Sequence, residues 1–187
     1  MTEIQVIIKA QTGDEDAFRQ LVEMHQMKVY HLLLGMVQDE YEAQELTQIT
    51  FVKAWHGLSR FRCESSFWTW IYRIAYHSAL DYLRGNKIRE MLIGDKEYIP
   101  DKRGDPLESV IISDQKREIL STLQELPVHQ RTAIVLYYFQ GLSYEAIAEV
   151  TGRKLETIRS DLHRGKDGLK QKLIRKWSED DEQDRYG

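Results

Sequence analysis

The sequence predicts an all-α protein in which two small helical domains are joined by a flexible linker. Apolar residues recur at spacings of three and four in both halves of the 187-residue chain, and no stretch alternates convincingly as a strand does. Two of the three prolines and two glycines fall in residues 86–113, which lack a sustained period. The expected domains are residues 1–88 and 114–176, with residues 89–113 as the linker and 177–187 as an acidic tail.

Three helices are expected in the first domain. The first carries an apolar stripe for about five turns within residues 18–36. The second fits residues 40–55, and the third fits residues 66–83. Gly85 and Asn86 follow the third helix as a stop signal.

Four helices are expected in the second domain. They fit residues 114–125, 128–139, 143–150 and 155–176. Gly141-Leu142 separates the middle pair, and Thr151-Gly152 separates the last pair. Residues 177–187, with five acids and one arginine, are expected to fray.

Charge is segregated along the chain. Residues 153–176 carry nine Lys or Arg against three Asp or Glu, whereas residues 37–48 carry four acids and no base. The net charge of −4 argues against a nonspecific polycation. The segregation therefore indicates separate surfaces for separate partners.

The N-terminal residues lack the basic start and long apolar run of a signal peptide. No apolar run approaches the roughly 20 residues that span a membrane. A single cysteine, Cys63, suits a reducing interior. We expect a cytoplasmic protein with no direct membrane insertion.

Residues 141–173 have the spacing of a helix-turn-helix. Ser143 can cap a short helix, Gly152 permits a tight turn, and the small Ala148 and the apolar Ile158 can pack the two helices together. The second helix would then present basic and hydroxyl side chains to a major groove. These side chains belong to Arg153, Lys154, Thr157, Arg159, Ser160, His163, Arg164 and Lys166. The alternative is a solvated basic face on a structural helix.

Residues 61–84 hold seven aromatic residues, interleaved with arginines. On a helix, one apolar face is expected to contain Phe67, Trp70, Ile71, Ile74 and Ser78, while Trp68, Tyr72, Tyr76 and Tyr82 fall largely elsewhere. Rings on a positively charged surface suit unstacked bases and phosphates, so this helix can capture melted DNA. The alternative is an aromatic-rich core.

An acidic helix precedes these rings. Glu42, Glu45 and Ile49 recur at spacings of three and four, beside Gln48 and Val52. Such a ridge should avoid phosphate and suits a basic protein partner. The alternative is a solvated face.

These pieces together resemble the extracytoplasmic-function (ECF) group of bacterial RNA polymerase sigma factors. The segments GDEDAFRQLVEMH, AQELTQITFVKAW and FRCESSFWTWIYRIAYHSALDYLR resemble region two, and the run SSFWTWIYRIA is close to a family hallmark. The segment LQELPVHQRTAIVLYYFQGLSYEAIAEVTGRKLETIRSDLHRGKDGLKQKL resembles region four. The resemblance covers nearly the whole chain outside the linker and the acidic tail.

The resemblance implies a dissociable subunit that binds core RNA polymerase, directs it to promoters and helps to melt the minus-ten element. Its expected partners are the clamp helices and flap of the polymerase, promoter DNA and an anti-sigma factor. The residues implied to bind the core polymerase are Glu42, Glu45, Leu46, Gln48, Phe51 and Trp55, with Ile49 and Val52 as exposed contacts shared with an inhibitor. The residues implied to bind the minus-ten strand are Arg62, Ser65, Ser66, Trp68, Thr69, Tyr72, Arg73 and Tyr76. The helix of residues 155–170 is implied to read the minus-thirty-five element.

Three positions depart from the family pattern. A Gln-Glu pair is replaced by Gln48-Ile49, a common proline by Lys154, and an arginine of the recognition helix by Asp161. An acid at position 161 is expected to repel phosphate or to accept a hydrogen bond from cytosine N4.

Two other functions remain open from the sequence. A stand-alone helix-turn-helix regulator would bind duplex DNA by itself and would not need the aromatic helix. An enzyme acting on nucleic acid would need a catalytic constellation. The sequence has no glycine-rich phosphate loop, no metal-ligand spacing and no cluster among its six histidines, so we expect no catalysis and no cofactor.

Overall fold

The structure is a computed structural model that describes residues 2–93 and 114–186, with side chains for residues 2–88, 118–119 and 121–178. Every regular element in these ranges is a helix, which confirms the all-α prediction. The chain divides into two compact units.

The N-terminal unit contains four helices. They are α1 (Glu3–Gln11), α2 (Glu15–Val37), α3 (Glu40–Gly57) and α4 (Phe67–Ile93), with a 3-10 turn at Leu58–Arg60 after α3. The carboxylates of Asp14 and Asp39 accept the Ala17 and Glu42 amides at 2.9 Å and so begin α2 and α3. Helix α2 packs against the other three, and α3 also packs against α4.

The core of this unit is centred on α2. Leu21, Val29 and Leu33 of α2 are fully buried, as are Phe67 and Ile71 of α4. The three residues of α2 belong to its predicted apolar stripe. Their burial is the main source of stability, since each such side chain contributes about 1.5–3 kcal/mol when it is removed from water.

Helix α1 is absent from the sequence prediction. It begins with a reciprocal cap in which the Thr2 hydroxyl accepts the Gln5 amide and the Gln5 side chain accepts the Thr2 amide. Val6, Ile7 and Ala10 bury one side of the helix. With nine residues, α1 is too short to be stable as an isolated helix, so it depends on packing against α2.

Helix α4 extends past the predicted stop at Gly85 and Asn86 and ends at Ile93. The stop prediction was wrong because a glycine inside a helix costs only about 1 kcal/mol relative to alanine. Residues 89–93 of the predicted linker are therefore helical. The rest of that linker, residues 94–113, lies outside the described residues.

The C-terminal unit is built around one long helix. Its helices are α5 (Asp114–Gln124), α6 (Val128–Ile134), α7 (Tyr144–Thr151) and α8 (Leu155–Tyr186). Helices α5 and α6 both pack against α8. A Cβ atom at Gly165 of α8 would lie 2.9 Å from Ile134 Cδ1, so the absent side chain allows α6 to approach closely. The helical backbone of α8 continues through most of residues 177–187 to Tyr186.

The predicted helix 128–139 changes its hydrogen bonding partway along. After α6, residues Val135–Phe139 form a π-helical turn, in which the Gln140 amide donates to the Val135 carbonyl at 3.1 Å. Tyr138 and Phe139 are exposed on this turn, whereas Val135 is buried.

Candidate nucleic-acid interface

Helices α7 and α8 form the predicted helix-turn-helix. The Ser143 hydroxyl accepts the Ala146 amide at 3.1 Å and caps α7, as predicted. Gly152 has a φ of +66°, a conformation that favours glycine, and it makes the turn. Ile147 and Ile158 are fully buried, whereas Ala148 is half-buried. The outer face of α8 is thereby left to solvent.

The predicted minus-thirty-five readers keep accessible side chains. Those exposed are Lys154, Arg159, His163, Arg164 and Lys166, and those partly exposed are Arg153, Thr157 and Ser160. The exposed cations lie on the first turns of α8 and on the turn before it, the end of a recognition helix that enters a major groove. This surface, which we call the α8 surface, can bind phosphates and base edges.

Asp161 does not belong to the α8 surface. It is 8% exposed, and its Oδ2 accepts a hydrogen bond from Arg153 Nη1 in an ion pair. The sequence suggested an acid that faces phosphate or cytosine, whereas this carboxylate is turned toward the protein's own arginine.

A short loop precedes α4 and contains the predicted hydroxyl residues. The Ser66 hydroxyl accepts the Thr69 amide at 3.2 Å and lies 2.7 Å from the Thr69 hydroxyl. Ser66 therefore caps α4, and Thr69 is buried beneath it. Arg62 is exposed, with only a weak surface ion pair to Glu64 at 3.9 Å.

Most aromatic rings of this region pack into the core of the N-terminal unit. The rings of Phe61 and Phe67 lie 4.9 and 5.6 Å from that of Trp70. Tyr72 and Tyr76 are 0% and 2% exposed, so the prediction that they lie off the apolar face was wrong. Burial raises the pKa of Tyr72, as expected for a phenol that is removed from water.

The accessible part of this region is correspondingly small. Trp68 is half-buried, with its ring 5.4 Å from that of Tyr72 in an edge-to-face arrangement. Ser65 and Arg73 are also half-buried, while Arg62 and Ser66 are exposed. We call these five residues the α4 surface.

Gln11, at the end of α1, supports the loop and was missed by sequence reasoning. Its side-chain amide donates to the Leu58 carbonyl at 3.1 Å and to the Phe61 carbonyl at 2.7 Å. It thus fixes the chain just before the α4 surface. No sequence signal marks this role, since a glutamine at a helix end is ordinarily solvated.

The acidic helix α3 has one buried and one exposed side. Leu46 and Phe51 are buried in the core, whereas Glu42 and Trp55 are partly exposed. An exposed row on the other side consists of Tyr41, Glu45, Gln48 and Val52, with Ile49 beside it. Their spacing of three and four residues aligns them along the helix. We call this row the α3 surface, and sequence reasoning missed Tyr41 as its first member.

Within the residues that the structure describes, no group of His, Cys, Asp and Glu could hold a metal ion. Over the same part of the chain, no helix is long and apolar enough to cross a membrane.

Two sequence families match separate parts of the chain. The family described as Sigma-70 region 2 matches residues 21–88, and the one described as Sigma-70, region 4 matches residues 116–168. The first match ends within α4 and contains the α3 and α4 surfaces. The second contains the helix-turn-helix and the α8 surface.

Two solved structures share the fold. The sigma factor RpoE from Bartonella quintana, in complex with the anti-sigma factor NepR, matches with a TM-score of 0.70 and 24% identity, over 84% of this chain and 96% of that one. CnrH, in complex with the cytosolic domain of CnrY, matches with a TM-score of 0.69 and 24% identity, over 91% and 96%.

Relatives of higher identity span nearly the full chain. The RNA polymerase sigma-H factor of Pseudomonas aeruginosa is 34% identical over 178 residues, which cover 90% of this chain and 92% of the relative. The ECF RNA polymerase sigma-E factor of Haemophilus influenzae is 33% identical over 183 residues, covering 92% and 96%. With both sigma regions matched and this identity sustained over almost the whole length, the chain belongs to the ECF family of RNA polymerase sigma factors.

Proposed function

We propose that the protein is a dissociable, non-catalytic subunit that brings core RNA polymerase to specific promoters in the cytoplasm. Each of the three surfaces has a separate task in this proposal. The α3 surface binds the clamp helices of the polymerase, the α4 surface holds the melted minus-ten strand, and the α8 surface reads the minus-thirty-five duplex. We propose residues 1–88 and 114–176 as the two functional domains, with residues 89–113 connecting them.

The observation that carries the proposal is the contrast between the α3 and α8 surfaces. The α3 surface combines exposed apolar side chains with Glu45 and carries no cation among its five residues, so it is unsuited to phosphate. The α8 surface carries five exposed cationic or imidazole side chains and is suited to duplex DNA. A chain that carries both kinds of surface can join a protein partner to DNA.

Two DNA readers of this kind reinforce each other when polymerase fixes their separation. Each binds its element weakly alone, but once one has bound, the other is presented at a high effective concentration. The α4 surface adds a preference for the open promoter, because an accessible ring and arginines can hold an unstacked base that the duplex does not offer.

An anti-sigma factor is the proposed inhibitor. The sigma factor RpoE of Bartonella quintana has been crystallised with one. In this chain, Ile49 and Val52 are exposed apolar residues of the α3 surface, and an inhibitor that covers them would also block the polymerase.

The first test is run-off transcription from a promoter library with purified core polymerase, with and without the protein. Specific initiation only in its presence is the expected result. Binding of duplex DNA by the protein alone, without binding to core polymerase, would instead favour a stand-alone regulator.

Surface variants then assign the three tasks. Val52→Asp should lower binding to core polymerase by at least about tenfold, because it places a charge in an apolar contact. Met27→Asp on α2 is the matched control, since Met27 is 58% exposed and Val52 is 57% exposed. Equal binding by the two variants would remove the α3 surface from the proposal.

Trp68→Ala tests the α4 surface through promoter melting. Loss of a ring that stacks on a base should weaken open-promoter binding by about 1–3 kcal/mol. A template with a mismatched minus-ten bubble presents unstacked bases without any melting cost, so the variant should bind it more weakly by a similar amount. Unchanged binding to the bubble would show that Trp68 does not hold an unstacked base.

A further inference from the structure

The ion pair between Arg153 and Asp161 joins two parts of the helix-turn-helix. Arg153 lies in the turn directly after Gly152, and Asp161 lies on α8, eight residues further along. The pair therefore crosses from the turn to the body of the recognition helix.

Asp161 is placed among core residues. Its side chain is 12% exposed, and its neighbours Ile158 and Leu162 are buried. A carboxylate removed from water to this degree needs a charged or hydrogen-bonding partner, and Arg153 supplies both. To reach a base edge, the carboxylate would have to leave this partner.

Arg153 can still contact DNA while it is paired with Asp161. Its side chain is 27% exposed, and a guanidinium has five N–H donors, so it can also meet a phosphate. Paired in this way, it cannot turn freely to read a base. The base-facing role falls instead to Thr157, Arg159 and Ser160, whose side chains are at least partly exposed.

We propose that Asp161 is a positioning residue for minus-thirty-five recognition, which holds Arg153 and the turn against α8 and reads no base itself. This inference rests on the proposed function of the α8 surface. Its mechanism is preorganisation, because a fixed turn presents the start of α8 to the groove in one orientation.

The test uses full-length variants bound to core polymerase. They are Asp161→Leu, Asp161→Asn, Arg153→Met and the double variant Arg153→Met/Asp161→Leu. The double variant replaces a buried ion pair by apolar side chains, which is often neutral for stability. Glu156→Leu is the control, since Glu156 is an exposed acid of the same helix.

The measurement is holoenzyme affinity for a set of promoters that each carry one base-pair substitution in the minus-thirty-five element. Asp161→Leu should weaken binding to every promoter by the same factor, about tenfold, and Asp161→Asn by less, because the amide can still accept a hydrogen bond. The double variant should bind no more weakly than Arg153→Met alone, because without Arg153 the carboxylate of Asp161 has no arginine to hold in place. The order of base preferences should stay unchanged throughout.

A direct base contact would give a different pattern. Loss of such a contact changes discrimination at one base pair by roughly 5- to 150-fold and leaves the other positions unaffected. That result would overturn the proposal.

Urea unfolding of the wild type, Asp161→Leu, Arg153→Met and the double variant, without polymerase, tests the pair independently. Coupling between the two positions in the double-mutant cycle is expected, and additive effects would overturn the proposal even if promoter recognition is normal. If wild-type holoenzyme shows no minus-thirty-five preference while the cycle shows coupling, the proposed function fails, and Asp161 has a structural role only.

Discussion

Helices α4 and α8 carry the two proposed DNA surfaces, yet they bury their predicted readers to very different degrees. On α4, Thr69, Tyr72 and Tyr76 are buried, whereas every predicted reader of α8 remains at least partly exposed. Helix α4 packs against both α2 and α3, so more than one of its sides is covered. Helix α8 contacts α6 at Gly165 and is bonded to α5 through Lys172, and both positions lie beyond most of its readers.

The comparison shows where reading an amphipathic helix from sequence succeeds. The method assumes one apolar face, which holds for the start of α8. It fails for α4, because a helix held between two others can bury rings on adjacent sides. The same aromatic composition then supplies mainly core packing and only a small accessible surface around Trp68.

The largest expected difference between the helices is in stability. Tyr72→Ala should destabilise the N-terminal unit by about 3–5 kcal/mol, since it leaves a large cavity. Arg159→Ala should change stability by no more than about 0.5 kcal/mol, because the side chain is exposed. Urea unfolding measures both, and equal losses would contradict the assignment of Tyr72 to the core and Arg159 to the surface.

The same pair should reverse its order in promoter binding. Arg159→Ala should weaken minus-thirty-five binding by about 1–3 kcal/mol. Arg175→Ala, which removes the same charge further along α8, is the control and should leave base preference unchanged. A similar loss of preference in both variants would indicate a general charge effect.

One glycine on each helix gives a smaller contrast. Gly165→Ala should destabilise the C-terminal unit by up to about 2 kcal/mol. The added Cβ would crowd Ile134 and Gln130, and the free energy lost by this crowding should exceed the free energy gained from the higher helix propensity of alanine. Gly85→Ala on α4 should stabilise by about 0.5–1 kcal/mol, since no atom lies within 4 Å of the added Cβ. Hydrogen exchange resolved to each helix measures both, and stabilisation by Gly165→Ala would show that the contact with α6 can adjust.

The support of the α4 surface is expected to have a moderate effect. Gln11→Ala removes two hydrogen bonds to the Leu58 and Phe61 carbonyls and should cost about 1–2 kcal/mol. Open-promoter formation should also fall, because the loop before α4 loses its anchor. Gln5→Ala on the same helix is the control, and an equal decrease in promoter opening would point to α1 as a whole.

The smallest expected effect is a loss of stability at low pH, where the ion pairs that attach α5 to α8 are weakened. Hydrogen bonds from Lys172 and Lys176 lower the pKa of Glu125 from 4.5 to about 2. Because the folded pKa is depressed, this contribution is fully present above about pH 4.5 and is lost as the pH falls toward 2. The pair is near the surface, so the effect is small.

Glu125→Gln should therefore be slightly less stable than the wild type at pH 7, with the difference shrinking between pH 4.5 and pH 2. Urea unfolding across this range measures it. A difference that stays constant with pH would exclude the charged form of Glu125 as its cause.

Sequence reasoning reached most of the fold because long helices carry strong signals. Helices α2 and α3 show caps at Asp14 and Asp39, and α2 adds a sustained stripe. Helix α1 was missed because nine residues give a weak period. The end of α4 was misplaced because Gly85 was read as a terminator, although it lies within the helix.

The sites were less accessible to sequence reasoning than the fold. Exposed rows such as the α3 surface follow from spacing once the buried side is known. Contacts between positions that are distant in the sequence cannot be predicted from spacing. Both the role of Gln11 and the Arg153–Asp161 pair depend on such contacts. A residue's type indicates what its side chain can bind. Only the folded structure shows whether another side chain of the same protein is already bonded to it.

That pairing affects how a promoter code can be transferred between related proteins. A recognition code that assigns a base pair to each position of the recognition helix would assign one to position 161, because the family pattern has arginine there. In this chain the aspartate is already matched by the protein's own arginine at position 153. Under the role proposed for Asp161, position 161 specifies no base pair, so residues 153 and 161 have to be compared between relatives as a pair.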